Sequence, residues 1–336
     1  MLLQVVVEMS KCPSCYVDIS GETIECNSCG KIMHMDCAIM DEGAMCDTCY
    51  TDKFNEKEEL SFELPDVIRR SYIKEYDDCP YKFYAHQALG IEQEPNIYAL
   101  MGIDLHELFE RGSKESNYKQ HEMLRDFKEI FTSYDEEIFE GLYGSTTKED
   151  MYEKGYQSIV TFYDTIYNLP GTLHSAEKTY QFSVGEDLPL VQATIDRVDM
   201  VDGQLEVMDW KTGGVMVGKA LSSDMQPPLY IAAVQKEYGI TVRKFTLYYL
   251  SENKSRTYER INDDNYVCRV GKREYKINIT DSIRKVQHIF SQIKKGNFNI
   301  PVNAKNMYFT CKMCHVKKAG KCEGADTQVW QQFQGR

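Results

Sequence analysis

A chain of 336 residues with 42% apolar and 27% charged residues has the ordinary composition of a soluble globular protein, with room for one large domain and a small one. Its net charge of −13 speaks against a uniformly basic nucleic-acid binder, yet residues 241–322 hold 18 Lys and Arg against 6 Asp and Glu, so a basic surface on an acidic body is expected. No apolar run approaches the length of a membrane span, and the opening MLLQVVVEMS lacks a basic start and is too short for a signal peptide. The expectation is a cytoplasmic protein without a membrane partner.

Twelve cysteines in that compartment should not form structural disulfides, so clustered ones are read as metal ligands. CPSC, CNSC, HMDC and CDTC supply four pairs: Cys12 and Cys15, Cys26 and Cys29, His34 and Cys37, Cys46 and Cys49. Eight ligands suit two tetrahedral Zn2+ ions, and a polar segment of this size needs such staples to fold. The order of four cysteines, a histidine and three cysteines resembles PHD and RING-type fingers. Their interleaved pairing implies Cys12, Cys15, His34 and Cys37 on one ion and Cys26, Cys29, Cys46 and Cys49 on the other. A sequential pairing of two ribbons remains open. The module reads as one that docks a protein partner or guides DNA.

The charged stretch 50–61 reads as a linker, which sets a zinc-finger domain at 1–57 against a second domain at 58–336. Beyond the linker the sequence predicts helices at about 65–78, 97–112, 118–140 and 147–167. The period then changes to alternation at 176–184 and through 191–213. A helix starts near Pro227-Pro228 and stops at Gly239, a strand covers 242–250, and a last helix covers about 280–295. Helix, three strands, helix, strand is the core order, an α/β (α+β) body with a helical N-terminal part.

Asp202-Gly203 between two alternating runs predicts a two-residue hairpin. Pairing Val201 with Gln204 sets Val198 against Val207 and puts Asp196 directly opposite Asp209. Like charges so placed are destabilising, and a divalent cation would relieve them. Lys211 projects on the same side as Asp209. Asp199 also faces Glu206, but near a wet tip such charges cost little.

GIDLH (102–106), TIDRVD (194–199), MDWKTG (208–213) and QPPLY (226–230) resemble, in order and spacing, the RecB-like branch of the PD-(D/E)xK nucleases, over about residues 60–325. The resemblance implies a restriction-endonuclease-like core. It makes Asp209 and Lys211 the acid and lysine of the acid-x-lysine motif, Asp196 the preceding acid, and His106 a helical metal ligand. Gln226 and Tyr230 match the motif that follows and are assigned to DNA contact. Mg2+ or Mn2+ would be the cofactor, with an imidazole ligand favouring Mn2+. Glu177, on the preceding strand, and Glu110, one turn after His106, are further carboxylates that a solvated face explains equally well.

Cys79 precedes this core, while Cys311, Cys314 and Cys322 in CKMCHVKKAGKC follow it. In the same branch one early and three late cysteines hold a 4Fe-4S cluster, and the arrangement resembles that; zinc, with His315 as a competing ligand, is the alternative. Cys268 is left over as structural. The resemblance implies a DNA exonuclease acting on ends or single strands, in recombination, repair or phage DNA metabolism, located in the host cytoplasm if phage-encoded. A non-catalytic DNA-binding adaptor is the alternative, against which the intact acids and lysine argue. A redox protein lacks any flavin or nicotinamide motif.

Overall fold

The computed structural model describes residues 61–93, 96–142, 144–299 and 314–322, most of 22–49, and the single positions 12, 14, 19 and 311. The chain divides into two compact units, residues 1–65, 71–93 and 285–336 in one, residues 66–70 and 94–284 in the other. The expected linker, its last residue apart, and the boundary near residue 58 lie outside the described residues.

In the first unit, β1 (Thr23–Glu25) and β2 (Ile32–His34) form a hairpin with Thr23 opposite His34, and β3 (Ile39–Met40) pairs with β4 (Ala44–Met45). The buried residues among them are Cys12, Cys26, Met33, Ala44, Met45 and Cys46. Half of these six described residues are cysteines.

The remaining elements follow in order. A short strand β5 (Val67–Arg69) leads into α1 (Arg70–Asp78) and α2 (Pro80–Gln87). Helices α3 (Ile97–Lys114), α4 (Gln120–Ser133) and α5 (Lys148–Tyr167) come next, α3 capped by the Asn96 side chain and α5 by a Thr147/Asp150 capping box. Then come β6 (Thr172–Ser183), β7 (Leu190–Val201), β8 (Gln204–Lys211), α6 (Ala220–Ser223), α7 (Gln226–Tyr238) and β9 (Val242–Tyr249). A meander β10 (Lys254–Arg260), β11 (Asn265–Val270), β12 (Arg273–Asn278) precedes α8 (Ile279–Lys294), and α9 (His315–Lys318) follows.

The second unit is built on one eight-stranded mixed sheet in the order β12-β11-β10-β9-β8-β7, with β6 and β5 both on β7. This is the expected mixed α/β architecture. Helices α3 to α5 cover one face, where Phe162 meets Trp210 edge-on at 5.1 Å. On the other face α7 packs Tyr230 against Phe245 at 6.0 Å. Alternation along the paired strands β8 and β9 puts Trp210 and Phe245 on opposite faces. The two-residue turn is present, with Asp202 and Gly203 both at positive φ as that turn type demands. Gly239 in the left-handed conformation ends α7.

Four points of the sequence reading are corrected. The segment read as helix from 65 begins as β5, and the helix read to 140 stops at Ser133 before a 3-10 turn at Glu136–Gly141. The meander β10 to β12 replaces what had no assigned element between 250 and 280. At the hairpin tip, Asp199 and Glu206 do face each other, but both are buried, at 4% and 8% exposure, because Arg197, Arg243 and Lys244 close over them.

Candidate active site

The β7–β8 ladder runs in the expected register from Val201–Gln204 to Arg197–Met208 and stops there. Beyond Met208, β8 continues in parallel pairing with β9, Asp209 level with Leu247 and Lys211 with Tyr249. A strand has two edges, and β6 occupies one edge of β7 throughout. The other is shared, by β8 over 197–201 and by β5, in parallel, over 190–192. Residues 193–196 are left with an open edge, and the Asp196 carboxylate fills it by accepting from the Trp210 N–H at 2.6 Å. The expected ladder pair of Asp196 with Asp209 is therefore corrected: the strands splay at this point, and a side chain replaces the main-chain bond.

Into this splay α3 brings His106. Helix and strand approach closely at Gly102, where a Cβ would lie 3.3 Å from Thr212 Oγ1. His106 Nδ1 is 3.6 Å from Asp196 Oδ1 and 3.7 Å from Glu177 Oε1, and one ligand atom from each of the three lies within 4.8 Å of the others. Glu177 is flanked on β6 by the pairs Ala176–Arg197 and Lys178–Ile195 but is itself unpaired, with φ at +48°. A non-glycine residue there costs on the order of 1 kcal/mol. That twist is what turns a strand carboxylate toward His106.

Asp209 stands beside the trio. Its Oδ1 accepts from Gln226 Nε2 at 2.7 Å and its Oδ2 meets Lys211 Nζ at 2.6 Å, while Lys211 Nζ donates to Gln226 Oε1 at 2.8 Å. Gln226 is buried at the first turn of α7 and Tyr230, one turn on, is also buried. Glu110 pairs with Lys114 instead and joins no such cluster among the described residues.

The electrostatics follow from crowding. Burial, and then the charge of Asp209, hold the Asp196 carboxyl well above the usual carboxylate range. Burial pushes His106 down, but the neighbouring Glu177 carboxylate and the charges of Asp196 and Asp209 outweigh that and bring it to about 9. Lys211 is likewise lowered by burial and raised more strongly by Asp209. Glu177 Oε1 is buried and accepts no hydrogen bond. Two carboxylates and an imidazole, with a lone buried oxygen among them, fit a divalent cation that takes oxygen and nitrogen ligands.

The cysteines gather in two ways. Cys26, Cys29, Cys46 and Cys49 lie within 4.8 Å of one another, as do Cys12, His34 and Cys37; Cys15 lies outside the described residues. Cys29 Sγ and Cys46 Sγ are 3.8 Å apart, the sulfur spacing of about 3.8 Å that a tetrahedron with bonds near 2.3 Å requires. Burial raises Cys26, but main-chain N–H groups of Cys46, Cys29 and Ser28 outweigh it and lower the thiol to about 6. Around Cys79, burial followed by the charges of Cys314, Cys311 and Cys322 pushes the thiol up to about 12. These four feel one another without closing to the spacing of the finger groups.

Two features escaped the sequence reading. Glu177 was set level with a solvated face because a positive φ on a glutamate leaves no trace in the sequence. Arg70, whose guanidinium lies 5.8 Å over the Tyr230 ring, stands in a segment read as plain helix.

Acids gathered with an imidazole and a lysine, on a splayed strand pair, are a residue set that metal-dependent hydrolysis of phosphodiesters uses. The chain belongs to the PD-(D/E)XK nuclease superfamily, whose family model matches residues 70–319. It is also similar to the "Gene 69 protein" of Mycobacterium phage D29, 24% identical over 209 residues that cover 55% of this chain and 75% of that protein. Residues 22–49 lie outside both the matched family region and the mixed sheet.

Proposed function

We propose that this chain is a metal-dependent deoxyribonuclease, an exonuclease that degrades DNA ends or single strands in recombination, repair or phage DNA metabolism. The observation that carries the reading is the His106, Glu177, Asp196 trio beside the closed Asp209, Lys211, Gln226 triangle. The trio would hold Mg2+ or Mn2+, with Asp209 close by. Once bound, the ion supplies Lewis acidity and lowers the pKa of a coordinated water. The protein does the remainder. Lys211, kept protonated by Asp209, offers its ammonium to an attacking water and to charge that develops on phosphorus. Gln226 fixes the lysine. The basic 241–322 stretch would track the DNA backbone, so binding should weaken steeply with salt.

The finger cysteines and His34 would carry two Zn2+ ions in interleaved groups and serve as a docking or DNA-guiding module at 1–57, ahead of the nuclease domain at 58–336. Cys79, Cys311, Cys314 and Cys322 would carry a 4Fe-4S cluster. Their wider spacing supports a cluster over a single zinc ion, since a cubane separates its ligands further than one tetrahedral ion does.

The test uses end-labelled single- and double-stranded DNA, linear and circular, with Mn2+ or Mg2+. The natural chain should shorten linear DNA from its ends and leave 5′-phosphates, while Asp209→Ala and Lys211→Ala should not. Equal degradation by all three would mean a contaminating nuclease, and none by any of them would favour a DNA-binding adaptor. Metal analysis of anaerobically purified protein should give about two zinc and about four iron per chain.

A further inference from the structure

The cationic inventory of the site does not end with Lys211. Arg70 follows directly on β5, whose last pair, Arg69 with Gln192, lies at the start of the open edge of β7. Its guanidinium lies 5.8 Å over the Tyr230 ring, and its charge reaches both Lys211 and Tyr230. Among the described residues it has no carboxylate partner and donates no hydrogen bond, whereas Arg197, Arg243 and Arg256 in the same unit are all engaged. A five-donor group with none of its donors used, beside another cation, is poorly placed unless an anion completes it.

We propose that Arg70 is a substrate-positioning residue that binds a phosphate oxygen of the strand being cut. The proposal rests on the nuclease reading above and deepens it. Tyr230 acts as the platform: its ring supports the guanidinium beside Lys211. With Lys211 on the other side, the phosphate would sit between two cations, one fixed by the Asp209–Gln226 triangle and one by stacking. Two sources of that phosphate, the scissile internal diester and a 5′-terminal monoester, share this recognition chemistry.

The experiment measures binding of fluorescein-labelled oligonucleotides, carrying 5′-phosphate or 5′-hydroxyl ends, to the full-length chain with Ca2+ in place of Mg2+, across a salt series. Arg70→Met keeps a stem over Tyr230 and removes the charge, and Arg70→Lys keeps the charge. For Arg70→Met the slope of log affinity against log salt should fall by about 0.7 to 0.9, one phosphate contact, and affinity should drop roughly tenfold or more. Arg70→Lys should restore the slope but not the whole affinity. A loss confined to 5′-phosphorylated DNA assigns the terminal monoester; an equal loss with both ends assigns the internal diester. An unchanged slope in Arg70→Met, with Mn2+ binding and melting temperature also unchanged, would overturn the proposal. Failure of the natural chain to bind either DNA would instead overturn the nuclease reading on which it stands.

Discussion

At the tip of the β7–β8 hairpin, Asp199 and Glu206 are buried among Arg197, Arg243 and Lys244, two acids against three cations. At its mouth, Glu177, Asp196 and Asp209 are gathered around one lysine and a histidine. The same ribbon thus buries acids at both ends. At the tip each acid is ion-paired to its own cations, although Asp199 Oδ1 accepts no hydrogen bond among the described residues. At the mouth the ligand atoms of His106, Glu177 and Asp196 converge within 4.8 Å, and it is there that Glu177 carries a strained backbone. Buried acid is therefore not what marks the site; buried acids converging on one point with an imidazole do.

Neutralising each end should separate the two roles. The largest effect is expected from Asp196→Asn or Asp209→Asn, either of which should lower nuclease activity by a factor on the order of 10^3 or more, and Asp196→Asn should leave the metal-free melting temperature equal or higher, since its repulsion with Asp209 is removed. Activity assays paired with thermal melts read both. At the tip the outcome inverts: Arg197→Met leaves Asp199 buried and alone and should cost about 3–5 kcal/mol in a denaturant titration, with activity per folded molecule retained. Equal melting losses at both ends would erase the distinction.

Metal binding sharpens it further. Ligation needs an unprotonated imidazole, and His106 titrates at about 9, so Mn2+ affinity should climb between pH 6.5 and 9 with proton release on binding, measurable by calorimetry in buffers of different ionisation enthalpy. In metal-free protein the sign is opposite. A histidine with a raised pKa contributes stability fully below its unfolded value near 6.5 and loses it as pH rises to about 9, so this contribution to the melting temperature should decline over that window. The smallest effect belongs to Glu177→Gln, for which a roughly ten- to hundredfold weaker Mn2+ affinity, with the fold intact by circular dichroism, is expected.

Much of this was legible in the residues. Asp202-Gly203 gives the turn and hence the register over five pairs, and the interleaved pairing that the finger resemblance implied agrees with the groups Cys26, Cys29, Cys46, Cys49 and Cys12, His34, Cys37 among the described residues. The splay was not legible, because β8 is held along its other edge by β9 from Leu205 to Lys211, a pairing far apart in sequence that carries it on past the end of its ladder with β7. Nor was the meander: KSRTYER and REYKIN put charges on both sides of their strands, which hides the alternation on which strand prediction relies. A three-residue strand such as β5 is too short to show a period, and its last residues merge into the helix that follows.

Gln226 carries a consequence of its own. Lysine has no lone pair to offer, so the side-chain oxygen of Gln226 must face Lys211 and its NH2 must face Asp209, which settles the amide's orientation from its neighbours' chemistry. The polarity of the triangle is thereby set in advance of any DNA: the aspartate is kept as a receiver and the lysine as a giver. A glutamate of the same shape at that position would have nothing to hand to Asp209, and so one atom's identity decides which way hydrogen traffic can run through the centre of the enzyme.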